Sequence, residues 1–316
     1  MKSTIFIKLL LIIAITISFC KASSFGGGDD EERIRDVESY LEVENIERDI
    51  KYNEIDSLLD VYYNKYEESQ ELKPVVIFIY GGTWYQGDKI KFNKFGSLLE
   101  ANGYIGVIPT YVLFPHGGME DMVYDVYTSI KWTFENIQKY GGDPQRITVV
   151  GHSAGAHLVA LTLFKSYNFM ENKNEIMVPL PQFEKVLLLS GPYNFDDFSN
   201  VKKLFGKNIN NSMLEQMVKV LFKTKNVSPL DIVSNMPDNS VHDGFNVKKF
   251  IFYYTSLDDM VPECSAQNLM KEMKRVSQDV NIEYVYKEGY VHNAITVGIR
   301  SGNEEQAEIF LNLLQL

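Results

Sequence analysis

Five residues, Gly151-His152-Ser153-Ala154-Gly155, restrict what this chain can fold into more than any other stretch. They follow Ile147, Val149 and Val150, an apolar β-branched run with the composition of a buried parallel strand. They precede Ala156, Leu158, Val159, Ala160, Leu161 and Leu163, which read as helix. A serine at so sharp a strand-to-helix turn is held in a strained backbone conformation, its hydroxyl projecting above the sheet. The flanking glycines leave room for strand and helix to approach. Ala154 N–H, at the positive end of the helix, points where an oxyanion would form on a carbonyl attacked by Ser153. A small-residue turn carrying the pattern by chance is the competing reading, and the rest of the chain weighs against it.

Strand and helix patterns alternate on both sides of the turn. Residues 57–63 alternate like a strand, and Pro74 opens a buried apolar run over 75–80. A helix is expected over 88–101 and a strand over 105–108. The next helix carries Met122, Val123, Val126, Ile130, Trp132 and Phe134 on its apolar stripe, and closes at Tyr140-Gly141-Gly142-Asp143-Pro144. Further strands are expected over 186–189, 250–254 and 282–286, with helices over 263–276 and 303–314 and a loop over 288–293. This order predicts an α/β fold with a mostly parallel central sheet flanked by helices. Residues 193–245 interrupt it. They are polar and rich in Asn and Lys, with one amphipathic piece around Met213 to Phe222, and read as an inserted lid over the strand ends or an ordinary surface excursion.

The N-terminal 22 residues read as a targeting segment. Lys2 and Lys8 precede an apolar run over 9–19, and Cys20-Lys21-Ala22 offers small residues for cleavage. That run falls short of the about 20 apolar residues a membrane span needs, so a cleaved signal is preferred over an uncleaved anchor. The expected location is the secretory pathway, in the endoplasmic reticulum or outside the cell. Cleavage would leave Cys264 without an internal partner. Residues 23–56 read as a linker and an amphipathic segment outside the sheet, and 57–316 as one domain. A net charge of −11 with no basic block argues against nucleic acid as a partner.

Gly81-Gly82 follow the strand over 75–80, so their amides can face a ligand with no side chain in the way, although a plain Gly-Gly turn fits the same residues. Either N–H would join that of Ala154 around the oxyanion. A serine activated this way needs an imidazole to take its proton and a carboxylate to fix the imidazole's tautomer. Five histidines compete. His152 and His157 are fixed on the turn itself, and His116 and His242 have no strand end behind them. His292 alone follows the final strand in a glycine-bearing loop. Asp258 and Asp259 both lie in the loop after the strand over 250–254, and Asp258 comes first.

Tyr80-Gly81-Gly82-Thr83-Trp84, Phe114-Pro115-His116-Gly117, Tyr140-Gly141-Gly142-Asp143-Pro144-Gln145-Arg146-Ile147 and Gly151-His152-Ser153-Ala154-Gly155-Ala156-His157 resemble the isoprenylcysteine methylesterase group. This group lies within the carboxylesterase and hormone-sensitive-lipase-like α/β-hydrolases. The similarity covers about residues 57–315 and is densest from 75 to 160. Tyr80 stands where many of the wider superfamily carry His, a departure the methylesterase group shares. The resemblance implies a triad of Ser153, Asp258 and His292, with Asp258-Asp259-Met260-Val261-Pro262 matching the usual acid loop and Asp259 facing solvent. It also implies an oxyanion hole from Gly81, Gly82 and Ala154, no metal or organic cofactor, and a small-molecule or lipid-like ester as substrate. A lipid-like ester would bring the protein to a membrane surface. Trp84, Tyr85 and Tyr193 could line an apolar pocket, or equally serve as core packing. Two alternatives stand beside the esterase: an arylformamidase on the same fold, and a catalytically inactive binding module. Members of the latter kind usually lack the serine or the histidine, and this chain keeps both.

Overall fold

The apolar runs read from the sequence assemble into one twisted sheet. The computed structural model describes residues 30–67, 71–195 and 226–316. The chain divides at residue 43 into two units. The described part of the first carries helix α1 (Asp30–Glu42). The second holds β1 (Ile46–Lys51), β2 (Leu58–Tyr62), β3 (Lys73–Ile79), α2 (Asn93–Ala101), β4 (Ile105–Pro109), α3 (Met119–Asn136), β5 (Gly142–His152) and α4 (Ala154–Tyr167). A small hairpin of β6 (Glu171–Asn172) and β7 (Glu175–Ile176) follows. Then come β8 (Lys185–Leu189), α5 (Pro229–Ser234), β9 (Phe250–Leu257), α6 (Cys264–Val276), β10 (Ile282–Val291), α7 (Ala294–Ser301) and α8 (Glu304–Gln315).

The sheet order is β1-β2-β4-β3-β5-β8-β9-β10. Only the pairs made by β2 are antiparallel, and every pair from β4 to β10 is parallel. Helices α2, α7 and α8 pack as one group, joined by the rings of Phe95 and Phe310 at 5.2 Å, while α3, α4, α5 and α6 form another. Central strands covered on both faces need no polar alternation, and Val75 to Ile79 are accordingly all buried. The mostly parallel sheet flanked by helices is the fold that the alternation of patterns predicts.

Several elements differ from the sequence reading, each for a local reason. The sheet starts at Ile46, inside the segment expected to lie outside it. In β1 exposed residues alternate with buried Ile46 and half-buried Arg48 and Ile50, and the strand carries Glu47, Arg48, Asp49 and Lys51, so its charge hid an edge strand. A bulge between Glu47 and Ile50 puts Asp49 at φ 59°, with its N–H on Asp60 Oδ1 at 2.9 Å. Helix α2 begins at Asn93 rather than Asp88. Asp88 Oδ1 instead accepts Lys91 N–H in a turn, and Lys89 is drawn inward to carboxylates.

On α3, Trp132 and Phe134 are only half-buried, and Asp125, Ser129 and Thr133 share the buried face. Asp125 is a hub there. It accepts Val112 N–H at 2.8 Å, Asn53 Nδ2 at 2.9 Å and the Ser57 hydroxyl at 3.1 Å. Strand β10 continues through residues 288–291, expected as loop, because a bulge after Lys287 and Gly289 at φ 85° let it rejoin β9 at Leu257. The closing helix expected over 303–314 is α8, and a further helix that the sequence reading did not include, α7, precedes it. Gly302, in the left-handed region, ends α7, and Asn303 caps α8 through Gln306 N–H.

Within 193–245, the described part contains α5, capped by Ser228 Oγ on Asp231 N–H. The amphipathic piece around 213–222 lies outside the described residues, as does the targeting segment 1–22. No helix among the described residues is long and apolar enough to cross a membrane.

Candidate active site

Three loops at one end of the sheet carry the chemistry. Between β5 and α4, Ser153 adopts φ 53° and ψ −119°, a strained state costing about 1–3 kcal/mol that surrounding structure must impose. Its N–H donates to Leu189 O at 2.8 Å, and its carbonyl accepts His157 N–H at 3.1 Å, the first bond of α4. Gly155 permits the crossing: a Cβ there would stand 2.1 Å from the Ile79 carbonyl oxygen.

The end of β10 brings His292 to Ser153, its Nε2 2.9 Å from the serine Oγ. The end of β9 brings Asp258, whose Oδ2 lies 2.7 Å from His292 Nδ1. The carboxylate must accept, so Nδ1 carries the proton and Nε2 is left to accept from the hydroxyl. Asp258 Oδ1 takes N–H bonds from Met260 at 3.0 Å and Val261 at 2.8 Å. Burial pushes the Asp258 carboxyl up, but the His292 contact and these two amides more than offset it and hold it below its ordinary value. Asp259 is exposed. A hydroxyl, an imidazole and an ionised carboxylate in this series can deliver a serine alkoxide to an electrophilic carbon.

The loop after β3 passes beside the serine. A Cβ on Gly81 would lie 3.0 Å from Ser153 Cβ. Gly82 has φ 132°, and a Cβ there would meet Gln86 O at 1.9 Å, so this turn requires glycine. Its carbonyl accepts Tyr85 N–H and Gln86 N–H. Thr83 and Trp84 follow at φ 50° and 63°, two consecutive left-handed residues without glycine's freedom. Among the described residues, the amides of Gly81, Gly82 and Ala154 make no hydrogen bond. They are donors available to a ligand.

The expected pocket aromatics divide. Trp84 and Tyr193 are fully buried, and Tyr85 is half-buried. Trp84 Nε1–H donates to His157 Nδ1 at 3.1 Å. Tyr193 is fixed through its backbone to Ser265 Oγ, Ser228 Oγ and Leu230 N–H, with its ring edge-on to Phe252. Both are packing residues in this structure; of the three, only Tyr85 keeps exposed surface.

Neighbouring histidines have positions that the sequence did not reveal. His152 Nε2–H donates to the His292 carbonyl at 3.2 Å. Burial, then the adjacent His292, pushes the His152 imidazole down to about 3. His157 Nε2–H donates to Val227 O at 2.8 Å, and burial pushes this imidazole down to about 4. Both are neutral near pH 7. A polar ring within an otherwise small and apolar run was the one available signal. His116 and His242 are exposed, away from these contacts. Among the described residues no group of three or more His, Cys, Asp or Glu is placed to hold a metal ion.

A mostly parallel eight-stranded sheet, a serine at a sharp strand–helix turn, and an acid and a histidine after two later strands define an α/β-hydrolase. The architecture is shared with an inhibited esterase B from Lactobacillus rhamnosis, whose fold matches at TM-score 0.66 and 18% identity, over 98% of this chain and 96% of that one. The chain belongs to the BD-FAE family, whose model matches residues 59–273. A probable isoprenylcysteine alpha-carbonyl methylesterase of Arabidopsis thaliana is 27% identical over 253 residues, 79% of this chain and 52% of that protein. The kynurenine formamidase of Drosophila melanogaster is 25% identical over 182 residues, 57% of each chain. This chain thus spans about half the length of the curated relatives it matches.

Proposed function

We propose that this protein hydrolyses carboxylic esters by covalent catalysis at Ser153. The observation that carries the reading is the unbroken series of hydrogen bonds from Ser153 through His292 to Asp258, beside three amides that make no hydrogen bond among the described residues. In this reading His292 Nε2 takes the serine proton as Oγ attacks the ester carbonyl, and Asp258 stabilises the imidazolium. The amides of Gly81, Gly82 and Ala154 hold the oxyanion. His292 then protonates the leaving alcohol, and water, deprotonated by the same imidazole, releases the acid and regenerates Ser153. Losing one oxyanion donor would cost about two to three orders of magnitude in turnover.

An apolar group near the scissile bond is supported by Leu257 and Val291. They are register partners next in sequence to Asp258 and His292, and both are about half exposed. Together with the methylesterase relatives, this favours a lipid-like ester, with prenylcysteine methyl esters as a specific candidate, met at a membrane surface. Residues 1–22 support a site of action in the secretory pathway. The formamidase relative gives a second reading, in which the acyl group is N-formyl.

Hydrolysis of p-nitrophenyl esters of increasing acyl length, a prenylcysteine methyl ester and an N-formyl arylamine by wild type and Ser153→Ala decides between them. Ester turnover that rises with apolar length and vanishes in Ser153→Ala supports the reading. Preference for the N-formyl substrate would move the assignment to the formamidase, and turnover unchanged in Ser153→Ala would end both.

A further inference from the structure

We propose that Trp84 and His157 are positioning residues that hold the oxyanion loop, residues 81–88, in its strained form and tie it to the chain at Val227. This deepens the ester-hydrolase reading and rests on it for its catalytic consequence. Thr83 and Trp84 occupy left-handed backbone conformations directly after Gly81 and Gly82, whose loop passes beside Ser153. An isolated loop would relax out of this geometry, so a distant contact must maintain it. The indole of Trp84 supplies that contact. It is fully buried and donates Nε1–H to His157 Nδ1 at 3.1 Å.

His157 lies on α4, one turn after Ser153, and is fully buried. Its other nitrogen donates to the Val227 carbonyl at 2.8 Å, so each ring nitrogen has one role and the tautomer is fixed. The Phe195 ring packs edge-on against both, 5.9 Å from the indole and 4.9 Å from the imidazole. The resulting series runs from the oxyanion loop, through the helix whose first amide is Ala154, to the residue before the Ser228 cap of α5. The effect of Trp84 and His157 on chemistry would come through where Gly81 and Gly82 present their amides.

Such donors act in the transition state more than on bound substrate, so their displacement lowers kcat and leaves KM nearly alone. Trp84→Phe keeps an aromatic ring and removes the N–H, and His157→Leu removes both bonds. Each is expected to lower kcat about 10- to 100-fold on a p-nitrophenyl ester, per site titrated with a phosphonate, with KM within about threefold. The double variant is expected to be no slower than His157→Leu, because the two residues form one series. His157→Gln, which can both accept and donate, is expected to recover part of the loss.

Amide hydrogen exchange over 81–88 reads the positioning without any turnover and is expected to quicken in Trp84→Phe and His157→Leu. Unchanged exchange there would overturn the proposal. So would unchanged kcat per titrated site, or multiplicative losses in the double variant. A wild type that exchanges slowly over 81–88, loosens in the variants, and yet neither hydrolyses esters nor titrates would retain the positioning role and remove the ester-hydrolase reading.

Discussion

At residue scale, His152 illustrates a side chain whose neighbours matter more than its chemistry. It stands next to Ser153 and titrates in the ordinary histidine range when free, yet here it is buried, neutral and committed to the carbonyl of His292. Its N–H fixes the backbone of the residue that would act as base, and the two imidazoles lie 5.1 Å apart. His152→Phe keeps the bulk but leaves that carbonyl without its donor, an omission that costs about 1–3 kcal/mol for a buried acceptor. Its kcat is expected to fall about tenfold or more as His292 loses its alignment, with His152→Gln nearer to wild type. Steady-state kinetics on the three proteins checks this, and equal kcat in Phe and Gln variants would contradict it.

At the scale of elements, the loop over residues 81–88 is followed directly by Lys89, which ties its far end to β1 and β2. The Lys89 ammonium lies 2.6 Å from Asp60 Oδ1 and 2.6 Å from Asp49 Oδ1, with the Asp60 side chain fully buried. Removing one partner of a buried pair strands the other charge and costs about 3–5 kcal/mol. Lys89→Met is expected to lose stability of this order, read as a lower urea midpoint with an unchanged slope. Lys89→Met/Asp60→Leu, which removes both charges, is expected to regain much of it. A single variant as stable as wild type would show that the pair does not hold the loop.

The same elements mark how far the sequence could be read. Strands β3, β8 and β9, and β5 from Ile147 onward, were legible because burial on both faces leaves a mostly apolar run, whereas the start of β5 at Gly142 lay in residues that read as a turn. The Ser153 turn was legible too, because few residue types fit it. Strand β1 was not, since an edge strand with one solvated face and a bulge at Asp49 looks like a charged linker. The place of Trp84 was also illegible: an indole after paired glycines reads equally as pocket wall or as core packing, and only its full burial against His157 separates the two. Residues 153 and 292 could be chosen by their order along the strands and 258 over 259 only with the resemblance of its loop, whereas the neutral histidines depend on contacts far away in sequence.

At the scale of the whole molecule, two buried neutral histidines make stability depend on pH. The ordinary value is 6.5, while His152 is pushed down to about 3 and His157 to about 4. Between these values the unfolded chain binds protons that the folded chain refuses, so stability declines as pH falls below 6.5. Each histidine contributes up to about 1.4 kcal/mol per pH unit until its folded value is reached. Protonation of Asp258, held low in the fold, adds to the loss below the usual carboxylate range. Urea midpoints are expected to drop steadily from pH 7 to pH 4, with a shallower slope in His152→Gln. A midpoint independent of pH over that interval would contradict the buried neutral state.

Every step proposed for this site needs Ser153 to be an activated nucleophile. Intact-mass measurement after incubation with a fluorophosphonate tests this directly, on wild type, Ser153→Ala and His292→Ala, with circular dichroism showing each to be folded. The expected result is one phosphonyl adduct on wild type, mapped by peptide fragmentation to Ser153, no adduct on Ser153→Ala, and strongly slowed labelling of His292→Ala. Folded wild type that gains no adduct, or an adduct mapped to another residue, would contradict it.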